Sequence, residues 1–342
     1  MDGGEQVDAQ SFYGEYHGHP LDALETVHNF LRAQGKRIVY LVGDSSLDNK
    51  HWLFAQRLSK KTSDPAFGPA LNGFEHVLHP PVAVEDVCYF VNKELSEQGL
   101  GQYACINAAV EESTVSDREQ GLLPHDEVRR AEGLGCAFLL TLRMCPQFVR
   151  DHLQPDDIVI VSMGGNDIAL RPTTATMLAI GALNFLTPKA MVLGGWGPGF
   201  GHLKGIFCDQ VEAYLKRLYE KHVPKLTVPC TIYYPAVSGE SWANPLLDRL
   251  GYTAKRLRVF CVIVSASNPS PCSPEKLQAL IDSCFTHMTS KISVEGGAVA
   301  PLALSTVLDC NDQHDYDNRV EPSIQGGQKM GAAFVRIIKE KQ

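Results

Sequence analysis

Short, continuous apolar runs bounded by turn-forming residues punctuate this chain. Residues 38–42 (IVYLV), 103–108 (YACINA) and 157–163 (DIVIVSM) are such runs, and each has the length and β-branched content of a strand buried on both faces. Two further strands are read near 229–234 and 301–308. The stretches between them carry apolar positions at helical spacing, near 20–34, 47–60, 83–98, 129–153, 174–186, 202–222, 253–264, 273–292 and 323–341. Strands alternating with helices imply a parallel sheet covered on both faces, a three-layer α/β/α protein with five mostly parallel strands. With 342 residues the chain exceeds one minimal doubly wound unit. We therefore expect an N-terminal extension over 1–19 and a single enlarged domain over 20–342, with loop insertions at about 61–82 and 187–205.

Candidate chemistry gathers where strands end. In 37–53 (RIVYLVGDSSLDNKHWL) the apolar run breaks at Gly43 into Asp44 and Ser45, and a helix is expected to start around 47–50. That places the Ser45 hydroxyl at the carboxyl end of a strand and its N–H near a helix N-terminus. Ligands bind at such positions in α/β proteins, and developing negative charge is stabilised there. Taken alone, Ser45 could equally be an N-cap. The strand at 157–163 ends in Gly164, Gly165, Asn166 and Asp167, and the strand at 103–108 ends in 109–114 (AVEEST).

With these blocks in order behind strands, the sequence resembles the SGNH/GDSL hydrolase family, from about residue 37 to the C-terminus. More narrowly, GDSSLDNKHW, VSMGGNDIALRP, TIYYP with SWA, and RVEPSIQGG resemble a protist branch of SGNH-like proteins. The resemblance implies a flavodoxin-like SGNH fold with Ser45 as nucleophile. The oxyanion hole would come from the Ser45 N–H, the N–H of Glu112 and the side-chain amide of Asn166. Asp44, Gly165 and Asp167, within the same blocks, would line the binding site. Acyl transfer needs this set: a nucleophile, a base for its proton, and donors aimed at the oxygen that becomes negative.

Two blocks depart from the family pattern. Glu112 stands where the second block has glycine. Any residue supplies an N–H, but a carboxylate there opposes negative charge if it points inward. Glu111 and Glu112 are read either as solvated loop charges or as contacts for a cationic or hydroxyl-rich part of a substrate. The family's last block is DxxH before a proline and a C-terminal helix, but here Glu321 precedes Pro322 and Asn318 stands three residues earlier. The nearest histidine is His314, between Asp312 and Asp315. Three alternatives stay open. His314 reaches Ser45 with Asp312, Asp315 or Asp317 orienting it. Glu321 acts as base with a pKa raised by burial. Or the chain keeps the cleft and has lost its base.

Bulk properties narrow the class further. A net charge of −8 without a compensating Lys/Arg cluster argues against a nucleic-acid partner. The acidic, polar N-terminus is neither a signal nor a transit peptide, and no apolar run approaches the ~18 residues of a membrane span. The ten cysteines include no CxxC, and Cys105, Cys230, Cys261 and Cys310 lie in or beside apolar runs. They read as reduced, buried thiols of a cytoplasmic protein. His17 with His19 and His76 with His79 are too sparse for a metal site, and no cofactor is expected. The glycine-rich stretch 194–202 lacks the Lys-Ser/Thr of a phosphate loop. It is read as a mobile lid or pocket wall with Trp196 and Phe200 as apolar contacts, and His202 as a minor alternative base. The expected function is hydrolysis of a small or lipid-like acyl ester by a serine esterase. The rivals are a catalytically silent binding protein and, more weakly, an acyltransferase.

Overall fold

A computed structural model describes residues 6–53, 67–116, 147–252 and 274–342. Its centre is a parallel sheet built from β1 (Arg37–Gly43), β2 (Tyr103–Asn107), β3 (Ile158–Ser162), β4 (Leu226–Thr231) and an edge strand in two pieces, β5 (Ala298–Val299) and β6 (Leu302–Ala303). In space β2, β1, β3 and β4 lie side by side, with β5 and β6 both paired to β4. This is the 2-1-3-4-5 order of flavodoxin-like sheets, whose ligand crevice opens at the carboxyl ends of β1 and β3.

Alternation along the strands explains the layers. Ile38, Tyr40 and Val42 of β1, with Val159 and Val161 of β3, enter one core, whereas Val39, Leu41, Ile158 and Ile160 enter the other. The first core is covered by α1 (Leu21–Ala33), through Leu24, Val27 and Leu31, and by helices introduced below. The second is covered by α2 (Val87–Glu97), capped by Asp86, which accepts the Tyr89 N–H at 2.8 Å. The expected three-layer α/β/α architecture is therefore present. At the opposite end of the sheet from the crevice, buried Asp157 accepts the Ile38 N–H (2.8 Å) and a two-pronged contact from Arg32, fixing α1 to β1 and β3.

Two expectations shift, and a third is met at the late end of its range. The fourth strand starts three residues early, at Leu226, and the fifth is no continuous strand over 301–308. Its interruption falls opposite Val228 and Pro229, where proline has no N–H to contribute, and Leu304–Thr306 turns as a 3₁₀ helix. Residues 45–47 form a turn, so the helix after Ser45 starts only at about Lys50. The expected helix at 253–264, most of the one at 129–153 and the second half of the one at 47–60 lie outside the described residues.

The remaining helices used below are α3 (Gly165–Ala169), α4 (Thr174–Gly181), α5 (Gln210–Leu218), α6 (Pro274–His287) and α7 (Ile324–Glu340). α5 and α6 face the first core, α7 the second. α7 lies against α2 at backbone distance, since a Cβ on Gly331 would stand 2.8 Å from the Phe90 carbonyl carbon. The residues ahead of α1 are folded too: Val7–Asp8 pairs with Leu78–His79, and Phe12 and Tyr13 are buried. Within 67–84, Phe67–Pro69 pairs antiparallel with Val82–Val84. Residues 187–205 contain the short helices Lys189–Leu193 and Phe200–Lys204. Cys105, Cys230 and Cys310 are free and buried, as are the other described cysteines; Cys261 lies outside the described residues.

Candidate active site

Ser45 owes its place to the glycine two residues before it. Gly43 has φ 147°, and a Cβ there would stand 1.7 Å from the Ser162 carbonyl oxygen, so β1 and β3 close on each other only with glycine. Beyond it the Asp44 N–H donates to Ser162 O, and the Leu47 and Asp48 N–H groups donate to Asp44 O, each at 3.0 Å. This turn sets Ser45 at the tip of β1. The Asp44 carboxylate accepts the Ser46 N–H (3.1 Å) and hydroxyl (2.7 Å), which stiffens the turn from within.

The block after β3 is equally tied down. Gly164 has φ 104°, and a Cβ there would meet the Phe207 ring at 2.7 Å. α3 follows, with Asn166 buried and its amide donating to Ser113 O at 3.1 Å. Asp167 accepts the Val115 N–H (2.8 Å), the Ser116 N–H (3.2 Å) and the Ser116 hydroxyl (2.8 Å). Its carboxylate thus holds the loop after β2 against the loop after β3.

Glu112 lies on the loop after β2 with φ 61°. The backbone keeps the left-handed conformation that glycine adopts freely, although a glutamate there costs roughly 1 kcal/mol or more. Its carboxylate accepts the Tyr16 hydroxyl at 3.1 Å and lies 3.9 Å from the Arg171 guanidinium, and it does not line the cavity at Ser45. Neither the Ser45 N–H nor the Glu112 N–H meets an acceptor among the described residues.

The last block separates the two base candidates sharply. Tyr316–Asp317 pairs antiparallel with Glu321–Pro322. Asn318 and Arg319 between them both have positive φ (47° and 66°), the signs a type I′ turn requires. Arg319 is braced: its Nε donates to Ala236 O (2.9 Å), its Nη1 to Asn244 Oδ1 (2.6 Å), and its carbonyl accepts the Ala236 N–H (2.8 Å). This hairpin turns Glu321 inward, 2 % exposed, onto the cavity that Ser45 and Trp242 also line, and leaves its Oε2 buried without a hydrogen-bond partner among the described residues. Burial pushes that carboxyl well above the usual carboxylate range and the Asp44 charge adds to the rise, while the neighbouring Ser45 hydroxyl opposes it. His314, seven residues earlier, is 86 % exposed, bonded through Nδ1 to Asp312 (3.0 Å), and lines no part of the cavity.

Glu111 is a buried neighbour, not a solvated charge. It accepts the Trp52 indole N–H at 3.2 Å, and burial together with the Glu321 charge raises its pKa well above the usual range. Its own N–H donates to Asp48, which forms an ion pair with wholly buried Lys50 (2.6 Å). Sequence patterning gives no sign of this acidic layer, because it unites residues about 60 and 200 positions apart.

Ser45, Asn166, Gly165, Asp44 and Glu321 stand together at one cavity of about 120 Å³. Its remaining wall is almost wholly apolar and includes Ile168, Ile180, Phe207, Trp242, Leu247 and Leu280. The α6 wall was not foreseen. Trp196 is 71 % exposed and Phe200 packs beside His287; neither lines this cavity. His202 bonds to Thr176 (2.9 Å), and the half-buried His51 ring packs on Tyr16. No grouping of His, Cys, Asp or Glu suited to a metal ion occurs among the described residues.

No protein-family model matches the sequence, and no curated protein matches it. Among solved structures, one similar chain is a lipase/acylhydrolase from Enterococcus faecalis. It is 14% identical, the match covers 89% of this chain and 96% of that one, and the TM-score is 0.40. A likeness of that size leaves the chemistry to the residues at the cavity.

Proposed function

We propose that this chain is an SGNH-like serine hydrolase that cleaves an acyl ester through Ser45, with Glu321 in place of the family's histidine base. The observation that carries the reading is the placement of Ser45 and the buried Glu321 carboxyl together at the polar end of an apolar cavity. Ser45 Oγ attacks the acyl carbon and its proton passes to the Glu321 carboxylate. The oxygen that becomes negative is received by the Ser45 and Glu112 N–H groups and the Asn166 amide. Collapse expels the alcohol, protonated by Glu321, and water repeats the sequence to release the acid. The apolar wall accepts the acyl chain, with Gly165 and Asp44 flanking the ester and Asp167 keeping the donor loops in register. A raised carboxyl pKa suits a base that works near neutrality, since a carboxylate of ordinary pKa is a weak proton acceptor there.

One observation favours a second reading, binding without turnover. Below its raised pKa Glu321 is protonated and cannot accept the proton, and no histidine lines the cavity among the described residues. Labelling with a fluorophosphonate, beside turnover of short-chain p-nitrophenyl esters, separates the two. Turnover and labelling that both vanish in Ser45→Ala are the expected result. An unlabelled, inactive wild type whose cavity ligand still raises Tm would assign the cleft to binding. A product ratio that changes with added alcohol would make the protein an acyltransferase.

A further inference from the structure

The segment from Ile168 to Cys208 contains no aspartate or glutamate, in a chain where 39 of 342 residues are acidic. It carries Arg171, Lys189 and Lys204, so it is a cationic stretch within a chain of net charge −8. Arg171 faces Glu112 and Lys204 meets Asp209 at the border, but no acid belongs to the segment itself. The same segment holds nearly all the exposed large apolar side chains among the described residues. Leu178 is 69 % exposed, Leu186 73 % and Trp196 71 %, with Met191 and Leu193 also exposed; the one other is Trp242, on the cavity wall.

Its parts pack as one unit. A Cβ on Gly197 would stand 2.8 Å from Leu183, one on Gly199 would stand 2.5 Å from the Ala179 Cα, and His202 bonds to Thr176. The underside of this unit is cavity wall, through Ile180, Leu203 and Phe207. One piece of chain is therefore apolar toward the Ser45 cavity and apolar toward the outside, and positively charged overall.

We propose that this segment is an interfacial cap that docks the protein on an anionic lipid surface. Leucine and tryptophan side chains gain by entering the headgroup–acyl boundary, while lysine and arginine meet lipid phosphates. Both terms are needed here, because the acidic remainder of the chain is repelled by such a surface and leaves this face as the one that can approach. The same repulsion acts between two copies of a −8 chain and disfavours self-association as the cover. No described helix is long and apolar enough to cross a membrane, so the association is peripheral.

The test is flotation of the full chain with phosphatidylcholine vesicles and with mixed phosphatidylcholine–phosphatidylglycerol vesicles. Ser45→Ala is run in parallel, so that failure of the hydrolase reading leaves this one standing. Wild type and Ser45→Ala should both float with the mixed vesicles, less so at high salt, with a blue-shifted tryptophan emission. Leu178→Glu with Leu186→Glu should weaken the partition by about tenfold or more at unchanged Tm, since both side chains are already in water. Lack of flotation with the mixed vesicles, or equal flotation of the double variant, would overturn the proposal. So would a dimer in solution that the same pair of substitutions splits, which would give the face to a second copy.

Discussion

Two of the loops that bring polar groups to the cavity are held in different ways. The loop from Gly43 to Asp48 is fixed by backbone: a strand pair that excludes a Cβ, and N–H groups donating to Ser162 and Asp44 carbonyls. The loop from Tyr316 to Ser323 adds side-chain anchors to its own backbone pairing, with Arg319 reaching two carbonyl oxygens and Ser323 capping α7 by accepting the Gly326 N–H at 3.1 Å. A backbone-held loop has one geometry that many sequences can write, provided glycine stands at its pivot. A side-chain-held loop can exchange the residue it delivers. The loop that carries Ser45 accordingly matches the GDS block of the family the sequence resembles, while the loop that carries Glu321 has glutamate where that family has histidine.

The largest effect expected across this comparison is on turnover. Glu321→Gln should lower kcat by two to four orders of magnitude, the usual contribution of a positioned acid or base, whereas His314→Ala should change it by no more than about twofold, its side chain lying in solvent. Equal losses in ester assays of the two variants would restore His314 as base. Next in size is Gly43→Ala, which should cost about 4 kcal/mol or more because the new Cβ meets a carbonyl oxygen in the centre of the sheet. Denaturant unfolding reads this directly, and a variant as stable as wild type would show that the β1–β3 junction can open.

A smaller change is expected from Arg319→Ala, about 2 kcal/mol from two lost charged hydrogen bonds. It should lower kcat more than it raises KM, since Glu321 loses its brace while the apolar wall is untouched. Arg319→Lys, unable to make both contacts from one planar fork, should recover only part of that loss. A last effect, confined to a pH window, concerns Asp86, the cap of α2, whose carboxyl is pushed up to about 7 by burial. A carboxyl raised in the folded state binds its proton more tightly there than in the unfolded chain. Its stabilisation is therefore present at low pH and is lost as pH rises from the ordinary aspartate value of 3.8 towards about 7. Asp86→Asn keeps a cap and removes the titration. Its stability should gain on wild type across that window, by roughly 4 kcal/mol at most, and urea midpoints that stay parallel between pH 4 and 8 would refute the assignment.

The sequence by itself determined the layer order and one half of the cavity. Apolar runs of strand length alternating with helices can bury both faces only in a doubly wound sheet, and GDS and GGND sit at strand ends because the sheet fixes where each chain leaves it. Local pattern also sufficed for α1, α2 and α7, whose buried positions recur at helical spacing. Tertiary structure alone placed Glu321 at the cavity and His314 in solvent. Both are polar residues of one aspartate-rich loop, and nothing in their spacing says that a turn at Asn318–Arg319 buries one and leaves the other in water. It also decided that Glu111 is internal and that α6 forms a cavity wall. Such facts depend on which distant surfaces meet, and burial, the term that shifts a carboxyl's pKa most, belongs to the assembled fold and has no period in the chain.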